Sequence, residues 1–206
     1  MRESLRSLKI AKMKREIMET CWEIYSKHGY NAINYDSIAE ILICSRTTIY
    51  NYYDSVEDIF VDIFKNNMSD LSEMLESHFD KAAKMKKQEY CDCIAHVKSQ
   101  FLDFLKASAS YMKVVEKGSK PENFTELINK CVDLETIFHK SLTKFFPNLS
   151  DAQQKEFIYQ KHIVGSGIIF HLHHSKDGAT TVIEGIPQSD FTTVYSKMLQ
   201  MVMDNL

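Results

Sequence analysis

Residues 34–60 read NYDSIAEILICSRTTIYNYYDSVEDIF. Asn34 is a polar cap placed before Tyr35–Leu42, where Ile38, Ala39, Ile41 and Leu42 can bury one side of a short helix. The pattern breaks at Ile43-Cys44. Ser45 is a second cap and opens a helix from Arg46 to about Tyr53. Asp54 or Ser55 caps a long helix over 56–84, whose apolar stripe is Phe60, Ile63, Phe64, Leu71, Leu75 and Phe79. Two short helices joined by about three residues, with longer helices on either side, have the spacing of a helix-turn-helix in a three-helix module.

Many helical proteins contain such a turn, so residue identity decides its meaning. In the second short helix Ile49 and Tyr53 share a face at i, i+4 and can point inward. Arg46, Thr47, Thr48, Tyr50, Asn51 and Tyr52 are left for the outside. That face is polar, aromatic and free of acid. Arg can fork onto guanine, Asn onto adenine, and Thr or Tyr hydroxyls can donate to phosphates.

Upstream, Met13, Ile17, Cys21, Ile24 and His28 recur at helical period, and Gly29 follows as a helix stop. The first fifteen residues carry six bases, Lys9 and Lys12 among them, against one acid, Glu3. Such an arm supplies sequence-independent phosphate attraction that the whole chain, at net charge −3, lacks.

The rest of the chain predicts helices throughout. Gly and Pro number 6 and 3 of 206 residues, far below the usual share, which excludes turn-rich β-sandwiches and barrels. The expected class is all-α, with about nine helices. Stripes run through Tyr90, Ile94, Val97, Phe101 and Phe104 (helix 90–107), a short segment follows at 110–117, and Pro121 starts a helix to 146. Residues 152–175 are apolar on two faces, 178–187 form a loop, and a last helix covers 188–206. The opening MRESLRSLKIAKMKR lacks the apolar run of a secretion signal, and no apolar run is long enough to cross a bilayer. Five scattered cysteines fit a reducing compartment, so a cytoplasmic location without membrane association is expected.

The stretch KREIMETCWEIYSKHGYNAINYDSIAEILICSRTTIYNYYDSVEDIF (14–60) resembles the DNA-binding domain of the tetracycline-repressor (TetR) family of bacterial regulators. The matching landmarks are Ile17, Tyr25, Gly29, Tyr30, Ile38-Ala39, Ser45, Thr48-Ile49-Tyr50, Tyr52-Tyr53, Glu57 and Ile59. The resemblance implies a DNA-binding domain at 1–55 and a helical effector-binding and dimerisation domain at 56–206. It implies that Arg46, Thr47, Thr48, Tyr50 and Tyr52 face DNA and that Asn34 caps near a phosphate. It also implies a homodimer, an operator in double-stranded DNA, a small effector and repressor action. Three positions depart from the family: Ile43 replaces the turn glycine, Thr47 the small residue of the recognition helix, and Val56 a phosphate-contacting Lys. At Ile43 the turn is expected either to change shape or to be buried.

Beyond residue 85 the resemblance is one of architecture, and the residues speak for themselves. Gly165, Ser166 and Gly167 would admit another helix closely, and with Ile169, Tyr195, Met198 and Val202 they are the candidate dimer face. Packing within one subunit is the alternative for these glycines. Phe101, Phe104, Tyr111, Cys131, Phe138 and His162 are the candidate effector site; apolar with few polar points, it would favour a hydrophobic or aromatic ligand. Plain core is the alternative for that group. No nucleophile–base spacing, phosphate loop or HExxH appears, so neither an enzyme nor a cofactor is expected, and no metal site is assigned. Two other readings stay open: a metal-dependent sensor using His171 and His174, and a protein-binding adaptor that has lost DNA binding.

Overall fold

The computed structural model describes residues 2–174 and 191–206, with side chains over 6–170 and 191–206. Among the described residues the secondary structure is helical throughout: α1 Arg2–His28, α2 Tyr35–Ile41, α3 Arg46–Tyr50, α4 Val56–Lys81, α5 Lys87–Ser99, α6 Leu102–Gly118, α7 Pro121–Phe145, α8 Asp151–His174 and α9 Phe191–Asp204. A single 3-10 turn, Tyr30–Ala32, follows α1. The all-α class read from the sequence is the class observed. The predicted 178–187 loop and the start of the last helix at Gln188 lie outside the described residues, as do the side chains of His171 and His174.

Three elements differ from the sequence reading. The N-terminal basic arm is not separate from the first helix. Arg, Lys, Glu, Leu and Met are strong helix formers and carry α1 back to Arg2, and the i, i+4 pairs Lys12–Glu16 and Arg15–Glu19 support it further along. The helix predicted through Tyr90–Phe104 breaks at Gln100-Phe101. There the Ser99 hydroxyl donates to His96 O at 2.7 Å, and Gln100 and Phe101 amides bond three residues back, to Val97 and Lys98. The segment at 110–117 is therefore the second half of α6, not a separate helix.

The chain forms two compact units, Met1–Asn66 with Met112–Ile128, and Asn67–Tyr111 with Asn129–Leu206. In the first unit the start of α4 holds residues 120–123: buried Asp58 Oδ1 accepts from the Lys120 amide (3.0 Å) and from Asn123 Nδ2 (2.8 Å). Lys120 pairs with Asp54, and the Tyr30 hydroxyl donates to Glu57 at 2.9 Å. In the second unit Tyr90 stacks on Phe79 with ring centroids 5.2 Å apart and shares a 2.7 Å hydrogen bond with Ser141. α9 packs against α5 and α8.

Candidate functional site

The helix-turn-helix is built by its caps. Asn34 Oδ1 accepts from the Ser37 amide at 2.9 Å while Ser37 Oγ accepts from the Asn34 amide at 3.1 Å, a reciprocal box that starts α2. Ser45 Oγ accepts from the Thr48 amide at 3.1 Å and lies 2.9 Å from the Thr48 hydroxyl, starting α3. Both hydroxyls are thus engaged with each other. Ser55 Oγ accepts from the Asp58 amide at 3.0 Å and starts α4, so Ser55 rather than Asp54 is the cap. Between α2 and α3 the turn passes through Ile43 at φ 51°, a left-handed conformation. The turn keeps the shape glycine would give it, and its side chain, 93% exposed, is not buried.

α3 buries Ile49 and is followed by buried Tyr53. Arg46, Thr47, Tyr50 and Asn51 are exposed, Thr48 and Tyr52 half-buried. Tyr50 is held by Tyr35, ring centroids 4.2 Å apart, and the Tyr35 hydroxyl donates to Tyr53 O at 3.1 Å. Arg46 Nε lies 3.1 Å from Asp36 of α2. Lys9 and Lys12 are exposed on α1. Tyr53 is fixed from behind: its hydroxyl donates to Asp62 at 2.9 Å, and Lys14 Nζ lies 4.6 Å from its ring centroid and 3.2 Å from Asp62. Burial works against the Asp62 carboxylate, but the hydrogen bond from Lys65 and the charges of Lys14 and Lys65 outweigh it and hold its pKa below the usual range. The outcome is a rigid short helix presenting one guanidinium, one amide and aromatic hydroxyls, with no acid on its own outer face.

In the second unit the candidate dimer residues separate. Gly165, Ile169 and Tyr195 are buried inside the chain; a Cβ at Gly165 would stand 3.2 Å from the Tyr195 hydroxyl. The close helix approach at Gly165 is therefore made within one chain, by α9. Val202 packs half-buried against the core. Gly167 has open space around it, and Met198 is exposed. On α8 and α9 the large exposed apolar residues are Tyr159, Ile163 and Phe170, with Met198 and Met201. Their spacing on α8, i, i+4 and i+11, is one helical face.

The candidate effector residues also separate. Phe104 and Phe138 are buried, Phe101, Tyr111 and Cys131 half-buried, and His162 exposed. A groove of about 440 Å³ between α5 and α9 is lined by Gln88, Asp92, Thr192, Ser196, Lys197 and Gln200, with none of these candidates on it. Two buried lysines escaped the sequence reading, Lys98 on α5 and Lys161 on α8. Their register was visible: Lys98 is four residues from Ile94, and Lys161 lies between Phe157 and Gly165 on an apolar stripe. Among the described residues no group of three or more His, Cys, Asp or Glu is arranged to hold a metal ion. Among them, too, no helix is long and apolar enough to cross a membrane.

No family model matches the sequence. The chain is similar to the HTH-type transcriptional regulator LuxR of Vibrio harveyi, 22% identical over 103 residues, which are 50% of this chain and 48% of that protein. The match thus spans about half the length of that relative. Among solved structures it is similar to the fatty acid degradation regulator FadR from Bacillus halodurans (TM-score 0.67, 14% identity, 94% of this chain and 95% of that one). FadR from Bacillus subtilis, solved with stearoyl-CoA, aligns with TM-score 0.60 at 14% identity over 93% and 98% of the two chains. PfmR from Thermus thermophilus, a TetR family transcriptional regulator, aligns with TM-score 0.61 at 14% identity over 91% and 97%. These relatives are named as regulators. The likeness across nearly the whole chain is one of architecture: this chain has the TetR-family fold.

Proposed function

We propose that this chain, built on the TetR-family fold, is a dimeric, ligand-responsive transcriptional repressor that reads operator DNA through α3. The observation that carries the reading is the exposed face of that helix. Arg46, Thr47, Tyr50 and Asn51 stand outward on a helix capped by Ser45 and braced through Tyr35 and Tyr53. Those groups match base edges and phosphates, and Lys9 and Lys12 on α1 add phosphate attraction. Asn34 and Ser45 act first as caps, placing helix N-termini toward the backbone of the duplex.

Dimerisation is supported by the exposed apolar face of α8 and α9, from Tyr159 to Met201. A monomer seldom leaves such a face in water, and two α8–α9 pairs related by a two-fold axis would close it as a four-helix interface. A two-fold dimer presents its reading helices to half-sites about 34 Å apart, or a multiple of that. Two FadR relatives were solved with stearoyl-CoA and lauroyl-CoA, which supports a small effector for this chain as well. That effector would bind the second unit and shift the spacing of the reading heads by its differential affinity for two states.

The test is operator binding. A site selected from random DNA is titrated in a gel shift against wild type, Arg46→Ala and Tyr50→Ala. Loss of a bidentate Arg–guanine contact weakens binding roughly tenfold or more, with helicity and oligomeric state retained. Unchanged affinity in both variants rejects the assignment and favours a protein-binding adaptor.

A further inference from the structure

We propose that Lys98 and Lys161 form an anion-binding point inside the second unit, which takes the carboxylate or phosphate headgroup of a small amphipathic effector. The inference rests on the effector-binding reading above and gives that effector a chemistry. It adds a charged headgroup to the hydrophobic or aromatic ligand expected from the sequence.

Lys98 is 8% exposed and Lys161 4% exposed. Lysines are almost never buried this far without an acid. Here two share one core, and Tyr195 of α9 joins them. Lys98 Nζ donates to the Tyr195 hydroxyl at 3.1 Å, and that hydroxyl donates to the Lys161 carbonyl at 3.0 Å. Lys161 Nζ stands 3.6 Å from the centroid of the Phe138 ring, a cation–π contact. Among the described residues neither ammonium has a carboxylate within ion-pairing distance, and Lys161 Nζ donates no hydrogen bond. Glu135 of α7 attracts Lys161 at longer range only, and its side chain is exposed to water.

The core therefore holds two lysine amino groups against two ring faces, those of Phe138 and Tyr195, and one hydroxyl. Burial pushes Lys98 down to about 8. Burial, and then the charge of Lys98, pushes Lys161 well down. A packing role does not need these residues: a methionine of similar length would fill the same space without an ammonium to desolvate. A carboxylate or phosphate oxygen would accept from Lys161 Nζ, offset positive charge at the pair, and be held by charge-assisted bonds. The Phe138 ring that faces Lys161 Nζ belongs to the unit's apolar core, the kind of surface an apolar tail packs on.

The experiment is a binding panel on the full chain. Octanoate, laurate, the corresponding alkyl phosphates and the corresponding methyl esters are titrated by calorimetry. Wild type, Lys98→Met, Lys161→Met and the double variant are compared, with circular dichroism confirming the fold. The expected result is that wild type prefers the anions over the esters by roughly ten- to hundredfold, and that the double variant loses that preference while still binding esters. The ratio of carboxylate to phosphate affinity separates the two headgroups. The wild-type comparison of acid with ester needs no variant and stands if a substitution fails to fold. Equal binding of acids and esters to wild type overturns the anion point and leaves the effector reading intact. Anion preference that survives in the double variant overturns the assignment to these lysines. Binding of no probe overturns both the anion point and the effector reading.

Discussion

Ile43 carries a measurable cost. It sits at φ 51° with its side chain 93% exposed, so it gains almost nothing from burial and bears the steric penalty of a left-handed backbone. That penalty is about 1–2 kcal/mol for an L-residue, and branching at Cβ places isoleucine toward the upper end. Replacing it with glycine removes the clash but widens the unfolded ensemble, which costs back about 0.4–1 kcal/mol. Ile43→Gly is expected to stabilise the protein by about 1 kcal/mol. For a chain of this size that is a rise of about 2–4 °C in Tm. The assay is urea unfolding followed by helical circular dichroism, with Ile43→Val as control. Valine keeps the branch and the strain, and is expected to leave the midpoint unchanged. A fall in stability for Ile43→Gly, or a gain for Ile43→Val as large as for glycine, would refute the strain argument.

Further tests address the ionic clasp, acid stability and assembly. Asp58→Ala removes a buried carboxylate that accepts from Lys120, Asn123 and Ser55, and is expected to cost about 3 kcal/mol, with hydrogen exchange rising across 112–128. Unaltered exchange there would contradict the clasp. Asp62 has its folded pKa below the unfolded value of about 3.9, so its contribution is present above that pH and is lost as pH falls through the folded value. Asp62→Asn is therefore expected to lower stability at neutral pH and to flatten the acid limb of the pH–stability curve; parallel limbs would argue against it. Ile163→Asp, on the exposed face of α8, is expected to shift sedimentation to the monomer without loss of helicity, and an unshifted dimer would place the interface elsewhere.

Residues 34–60 were legible because their structure is local. Asn34 and Ser45 are caps whose partners lie three residues away, and Pro121 begins α7 where a proline belongs. The α5–α6 break was not legible, since the stripe from Tyr90 to Phe104 continues across it and only backbone bonds at Gln100 and Phe101 reveal it. Gly165 showed a close approach in the sequence but not the partner, because Tyr195 is thirty residues downstream. Lys98 and Lys161 were passed over for a related reason. Each sits on an apolar stripe like many solvent-reaching lysines, and the third group that joins them belongs to another helix.

If α3 reads DNA as proposed, the pairing of Arg46 with Asp36 bears on how it would sample non-operator sequence. Arg46 is the one base in the span 46–53, and while it is held by Asp36 that helix offers random phosphate no free charge. An exposed pair of this kind is worth less than about 1 kcal/mol, so it yields readily where a guanine offers two acceptors in its place. Under the proposed DNA-reading role, Asp36 would compete weakly with random phosphate for the guanidinium, and a bidentate guanine contact would exceed that competition.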